Sequence, residues 1–108
     1  MIKEQKLCLV YITTGTLKEA KNIGQILVKQ KLVACVNILG EMNSIFSWKG
    51  NIEENAEVVM VAKTRKTHIP RLIKTVKNNH SYESPCILEL PIQGGDPDFL
   101  NWILKETE

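Results

Sequence analysis

Apolar residues recur along this chain in two rhythms. Leu7-Cys8-Leu9-Val10-Tyr11-Ile12 is a continuous apolar run of strand formers, the pattern of a strand buried on both faces. After it, Leu17, Ala20, Ile23, Gly24, Leu27 and Val28 repeat at helical spacing, while Lys18, Lys21, Gln25 and Lys29 fall outside the stripe. An amphipathic helix is predicted over about 17–30, with Thr16-Leu17-Lys18-Glu19 as its capping box. Val33 to Leu39 opens a second strand, which Gly40 and Asn43 interrupt as a bulge would. The strand resumes at Ser44-Ile45-Phe46-Ser47-Trp48, turns at Lys49-Gly50-Asn51, and returns through Ile52 and Val58 to Ala62.

Ile69, Leu72, Ile73 and Val76 predict a second helix, with Thr67 as N-cap, Pro70 in the first turn and Asn78-Asn79 at the end. Cys86-Ile87-Leu88-Glu89-Leu90 reads as a fourth strand. Asp96-Pro97 then starts a short helix carrying Phe99, Leu100, Trp102, Ile103 and Leu104. The order β-α-β-β-α-β with right-handed crossovers is an α+β, ferredoxin-like sandwich with an extra C-terminal helix and a long hairpin between its second and third strands. Residues 1–108 form one domain.

One length does not balance. Hairpin arms of roughly 15 residues would reach about 50 Å if continuous. A helix of about 14 residues covers only about 21 Å. Ile45, Phe46, Trp48 and Ile52 sit on the part that the helices cannot reach. Further copies of the chain are the expected cover, with Trp48 near the contact.

Composition narrows the classes. The 108 residues are 44% hydrophobic and 24% charged, with a net charge of +2 spread without a basic or acidic tail. That excludes disorder and any chain-wide pull toward nucleic acid. No apolar run approaches the length of a membrane span. The N-terminus, with Lys3, Glu4 and Lys6, lacks the core and cleavage site of a signal peptide, so a cytosolic setting is expected. Cys8, Cys35 and Cys86 show neither CxxC nor zinc-finger spacing and are expected to be reduced, mostly buried thiols.

Candidate chemistry is sparse. No P-loop, GxGxxG, GxSxG, HExxH or EF-hand loop is present, and nothing pairs a nucleophile with a base, so no enzyme is expected. Gly94-Gly95 before a helix reads as a plain loop. Lys63, Arg65, Lys66, Arg71, Lys74 and Lys77 read as a solvated face, since much of the run lies opposite the apolar stripe of the second helix. The fold order also suits an RNA-binding module, but the two central strands lack its stacking aromatics. His68, His80, the cysteines, Glu53, Glu54, Glu57 and Glu83 are metal-ligand types without ligand spacing; they form either a solvated patch or a site assembled in space or between subunits. The loop His80-Ser81-Tyr82-Glu83-Ser84-Pro85 is the densest polar cluster and either carries function or caps helix ends.

Six segments in register resemble the CutA divalent-cation-tolerance family. They are Ala34-Cys35-Val36-Asn37, Ser44 to Gly50, Glu53 to Glu57, Lys63-Thr64, His80-x-Tyr82-Glu83-x-Pro85, and Gly95-Asp96-Pro97-x-Phe99-Leu100-x-Trp102. The resemblance implies a ferredoxin-like fold, a homotrimer built by strand pairing, a cytosolic setting and tolerance to divalent metals, especially copper. It places Glu57 and His80 as metal ligands, in a cleft with Tyr82, Glu83, Lys63 and Trp48. Copper-binding members carry Cys and His where this chain has Ile12 and Asn79, which implies weak copper binding here. A rival reading is a trimeric small-molecule sensor similar to PII-type signal proteins, with Lys63-Thr64-Arg65-Lys66 as its phosphate-binding segment.

Overall fold

The computed structural model describes residues 6–108; the charged positions Lys3 and Glu4 lie outside the described residues. Its elements run β1 (Leu7–Thr14), α1 (Leu17–Lys29), β2 (Cys35–Trp48), β3 (Asn51–Arg65), a 3-10 turn at Lys66–His68, α2 (Ile69–Asn79), β4 (Ile87–Ile92) and α3 (Pro97–Glu106). The four strands form one antiparallel sheet in the order β2-β3-β1-β4, which is the ferredoxin-like arrangement.

Side-chain alternation divides the sheet between two layers. Val10, Ile12, Met60 and Ala62 point to one face and form the main core with Ala20, Ile23 and Leu27 of α1 and Leu72 and Val76 of α2. Leu7, Ala34 and Ile103 form a smaller core where α3 covers one end of the opposite face. Between α3 and the hairpin that face stays open: Leu39, Leu88 and Leu90 remain exposed there.

Local chemistry explains the ends of the elements. Thr16 Oγ1 accepts from the Glu19 N–H at 3.1 Å and caps α1. Glu19 reaches back one residue further than a capping box requires, taking the Gly15 N–H at 3.3 Å. Asp96 caps α3 by accepting from the Phe99 N–H at 3.0 Å. Thr67, the expected cap of the second helix, instead lies inside the 3-10 turn, and α2 starts after His68 without a side-chain cap. Pro70 supplies part of the compensation, because a first-turn proline has no N–H to satisfy.

The hairpin has the length its sequence suggests, with arms of 14 and 15 residues, and is more regular. Asn43 pairs with Ala56 and breaks nothing; the single register shift lies between Leu39 and Glu41, at Gly40. Lys49 and Gly50 have φ of 51° and 83°, so both turn residues are left-handed and Asn51 already pairs with Trp48. The molecule extends to 52 Å along its principal axis, and Ile45 and Ile52 near the tip are 70% and 84% exposed.

Candidate functional site

The bulge at Gly40 changes the phase of β2. Before it, Leu39 faces Val59 across the ladder; after it, Met42, Ser44 and Phe46 face Glu57, Asn55 and Glu53. The extra residue therefore turns the even-numbered side chains of the outer hairpin onto the face that carries Tyr11 and Thr13. The segment 80–86 crosses the end of β1 and closes the far side. A groove of about 810 Å³ results, with Met42, Phe46 and Trp48 on β2, Glu53 and Glu57 on β3, Tyr11 and Thr13 on β1, and Tyr82, Glu83 and Cys86 on the crossing segment.

Glu57 sits at the inner end of this groove, 8% exposed. Tyr82 donates its hydroxyl to Glu57 Oε2 at 2.7 Å. Burial first, then the bond to Glu57 and the negative charges of Glu57 and Glu19, push the Tyr82 phenol up to about 12. The phenol therefore stays protonated and keeps donating across the physiological range. Gly15 makes this approach feasible: a Cβ there would stand 3.3 Å from the Tyr82 hydroxyl.

The crossing segment is held by backbone capture. His80 Nε2 donates to the Thr13 carbonyl at 2.7 Å, and His80 Nδ1 accepts the Tyr82 N–H at 3.0 Å. Glu19 accepts the Ser81 N–H at 2.8 Å, tying the segment to the start of α1. Burial raises the Glu19 carboxyl, but the Ser81 and Gly15 hydrogen bonds and the nearby His80 outweigh it and leave the carboxyl below its usual range.

The expected cleft residues therefore divide. Glu57, Tyr82, Glu83 and Trp48 line the groove together. His80 does not: both ring nitrogens are engaged by backbone groups, and its role is to fix the segment that carries Tyr82. Lys63 does not line it either. Its ammonium donates to Asn37 Oδ1 and lies 3.5 Å from Cys35 Sγ, further along the sheet. The phosphate-binding segment of the rival reading is not a loop. Lys63, Thr64 and Arg65 belong to β3, and the Thr64 hydroxyl donates to the Leu32 carbonyl at 2.6 Å. Among the described residues, no three His, Cys, Asp or Glu side chains converge as a metal-binding group.

Cys86, expected to be a buried strand thiol, is half-buried just before β4 and lines the groove; burial, then the Glu57 charge, raise its pKa. Cys35 is also half-buried, and only Cys8 is fully so, with burial pushing its thiol to about 11. Tyr11, Met42 and Phe46 are groove residues that pattern reading overlooked. Their signal was Gly40, since a one-residue bulge tells which parity changes face.

The model of the CutA1 divalent ion tolerance protein matches residues 8–106. The chain belongs to this family. It is 42% identical over 99 residues to a divalent-cation tolerance protein CutA of Archaeoglobus fulgidus, covering 92% of this chain and 96% of the relative. It is 39% identical over 98 residues to mouse protein CutA, covering 91% of this chain and 55% of the relative. The chain spans about half to two thirds of the length of the vertebrate relatives it matches. Among solved structures, CutA1 from Oryza sativa superimposes with a TM-score of 0.94 at 33% identity, covering 96% of this chain and 95% of that one. The Archaeoglobus fulgidus structure reaches 0.92 at 41% identity, covering 94% and 99%.

These relatives overturn the cytosolic expectation. The Archaeoglobus fulgidus protein is described as periplasmic and a rice relative as chloroplastic. Charges near a start and the lack of a leader pattern do not determine the compartment of a family whose members occupy several. Among the described residues, no helix is long and apolar enough to cross a membrane.

Proposed function

We propose that the chain serves divalent-cation tolerance as a homotrimer, with the groove around Glu57 as a weak divalent-cation site near the subunit contact. The observation that carries this reading is the buried Glu57 carboxylate. It stands in a groove that also holds Glu53 and Glu83 and, among the described residues, has no positively charged lining residue. A carboxylate removed from water without a cation beside it is costly, and a bound cation offsets that cost. One buried carboxylate and its acidic neighbours, without convergence on a point, suit a cation that keeps several waters or gains ligands from a neighbouring copy. Cys86 adds little for copper while its thiol holds a proton, because the thiolate is the ligand.

Self-association is supported by the exposure of Ile45 and Ile52 beyond the helices and of Leu39, Leu88 and Leu90 on the open sheet face. The Archaeoglobus fulgidus relative is named as a divalent-cation tolerance protein, and raised thiol pKa values at Cys8 and Cys86 are poor for nucleophilic catalysis, so a binding role is favoured over an enzymatic one.

Calorimetric titration of CuCl₂ at pH 7 into wild type and Glu57→Gln tests the site. Weak binding that Glu57→Gln reduces about tenfold is expected, a change of about 1.4 kcal/mol. Equal affinities would remove Glu57 from it.

A further inference from the structure

The outer groove has chemistry that a small inorganic ion does not use. Its walls are aromatic: Phe46 and Trp48 on β2 and Tyr82 on the crossing segment are each about one third to two fifths exposed. Its carboxylates are spread out. Glu53 and Glu57 face the same side of β3 four residues apart, which places them roughly 13 Å from each other along the strand. A metal ion held tightly by protein ligands needs oxygen, nitrogen or sulfur atoms gathered at one point, and a weakly held one keeps its waters. Among the described residues, no such gathering of three occurs. Aromatic faces attract ammonium groups, and Trp48 already does so: Lys49 Nζ lies 5.8 Å from its ring centroid.

An occupant that satisfies both features is long, flexible and carries separated positive charges on an alkyl chain. We infer that the groove binds a linear polyamine, with one ammonium at Glu57, another toward Glu53, and the intervening methylenes against Phe46, Trp48 and Tyr82. Alkyl segments gain by leaving water against aromatic walls, and each ammonium gains a carboxylate. Both gains depend on the groove's length, which a hydrated metal ion does not exploit. The inference rests on the cationic character of the groove's ligand but not on that ligand's being a metal.

Calorimetry with spermidine, at fixed ionic strength and pH 7, tests it in wild type, Glu57→Gln and Trp48→Ala. Glu57→Gln keeps an oxygen that accepts from Tyr82 while removing the charge, so the segment that carries Tyr82 is preserved. Trp48 is 41% exposed in the single chain, so its truncation spares the chain's own core, and sedimentation of each variant beforehand shows that its assembly matches wild type. Saturable binding of spermidine is expected, weakened about tenfold in each variant. MgCl₂ at matched charge should produce less heat than spermidine. Absence of spermidine binding while CuCl₂ still binds in a Glu57-dependent way would overturn the polyamine and leave the divalent-cation reading intact. Spermidine binding that neither variant weakens would be non-specific attraction and would overturn it as well. Failure of both ligands would remove the groove as a cation site.

Discussion

At the residue scale, the groove depends on three small facts that support one another. Gly15 lacks the Cβ that would crowd the Tyr82 hydroxyl, His80 uses both ring nitrogens to hold the segment, and Tyr82 donates to the buried Glu57. The raised phenol has a direct consequence. Pushed up to about 12 from a phenol's ordinary value of about 10, it holds in the folded chain a proton that the unfolded chain releases in that window. This contribution to stability is full below about pH 10 and lost as pH rises toward 12. Glu57→Gln removes the negative charge while leaving the burial. Ultraviolet titration should then show the phenolate signal that disappears in Tyr82→Phe moving to lower pH in Glu57→Gln. A signal that does not move would mean that burial alone holds the phenol up. Of these residues, Tyr82 and Glu83 were legible as candidates because imidazole, phenol and carboxylate types crowd one loop, and Glu57 because it falls at the acidic position of the family resemblance. The role of His80 was not legible, because residue type cannot say that two backbone groups occupy both nitrogens.

At the element scale, the hairpin shows what pattern reading captures and where it stops. Alternating residues at 44–48 and the Lys49-Gly50 dipeptide announce the strand and its turn, and Gly40 announces the bulge. The acidic stretch Glu53 to Glu57 sits early in the return strand, as its place in the hairpin predicts, and β3 runs unbroken from Asn51 to Arg65. These polar residues pair with β2 because the ladder is satisfied by backbone groups whatever the side chains are. The Thr67 cap failed for a related reason: the chain enters α2 through a 3-10 turn tied down elsewhere, with His68 Nε2 donating to the Thr107 carbonyl and Arg65 Nε donating to Thr107 Oγ1. The turn itself is testable. Gly50 has a φ of 83°, and Gly50→Ala should cost roughly 1–2 kcal/mol there. If the tip belongs to the cooperative unit, the melting temperature should fall by about 4–8 °C for each kcal/mol. An unchanged midpoint would place the tip outside that unit.

At the scale of the whole molecule, the mismatch between strand and helix lengths is the dominant feature. The 52 Å long axis matches the span expected for the hairpin, while α1 has only 13 residues to cover it. Ile45 and Ile52 project from one side of the uncovered ladder, and Phe46 and Trp48 from the other. The edges of β2 and β4 are the outer strands of the sheet, and free edges next to apolar surface favour pairing with further copies. The proposed trimer would cover the hairpin and bring a neighbour's residues to the mouth of the groove, which would link assembly to cation binding. Sedimentation velocity at micromolar concentration and neutral pH tests this most directly. A single species of about three times the 12.3 kDa chain mass is the result expected, and it should persist on dilution. A stable species of 12.3 kDa with the same secondary structure would contradict it, because the hairpin would then stand in water without a partner.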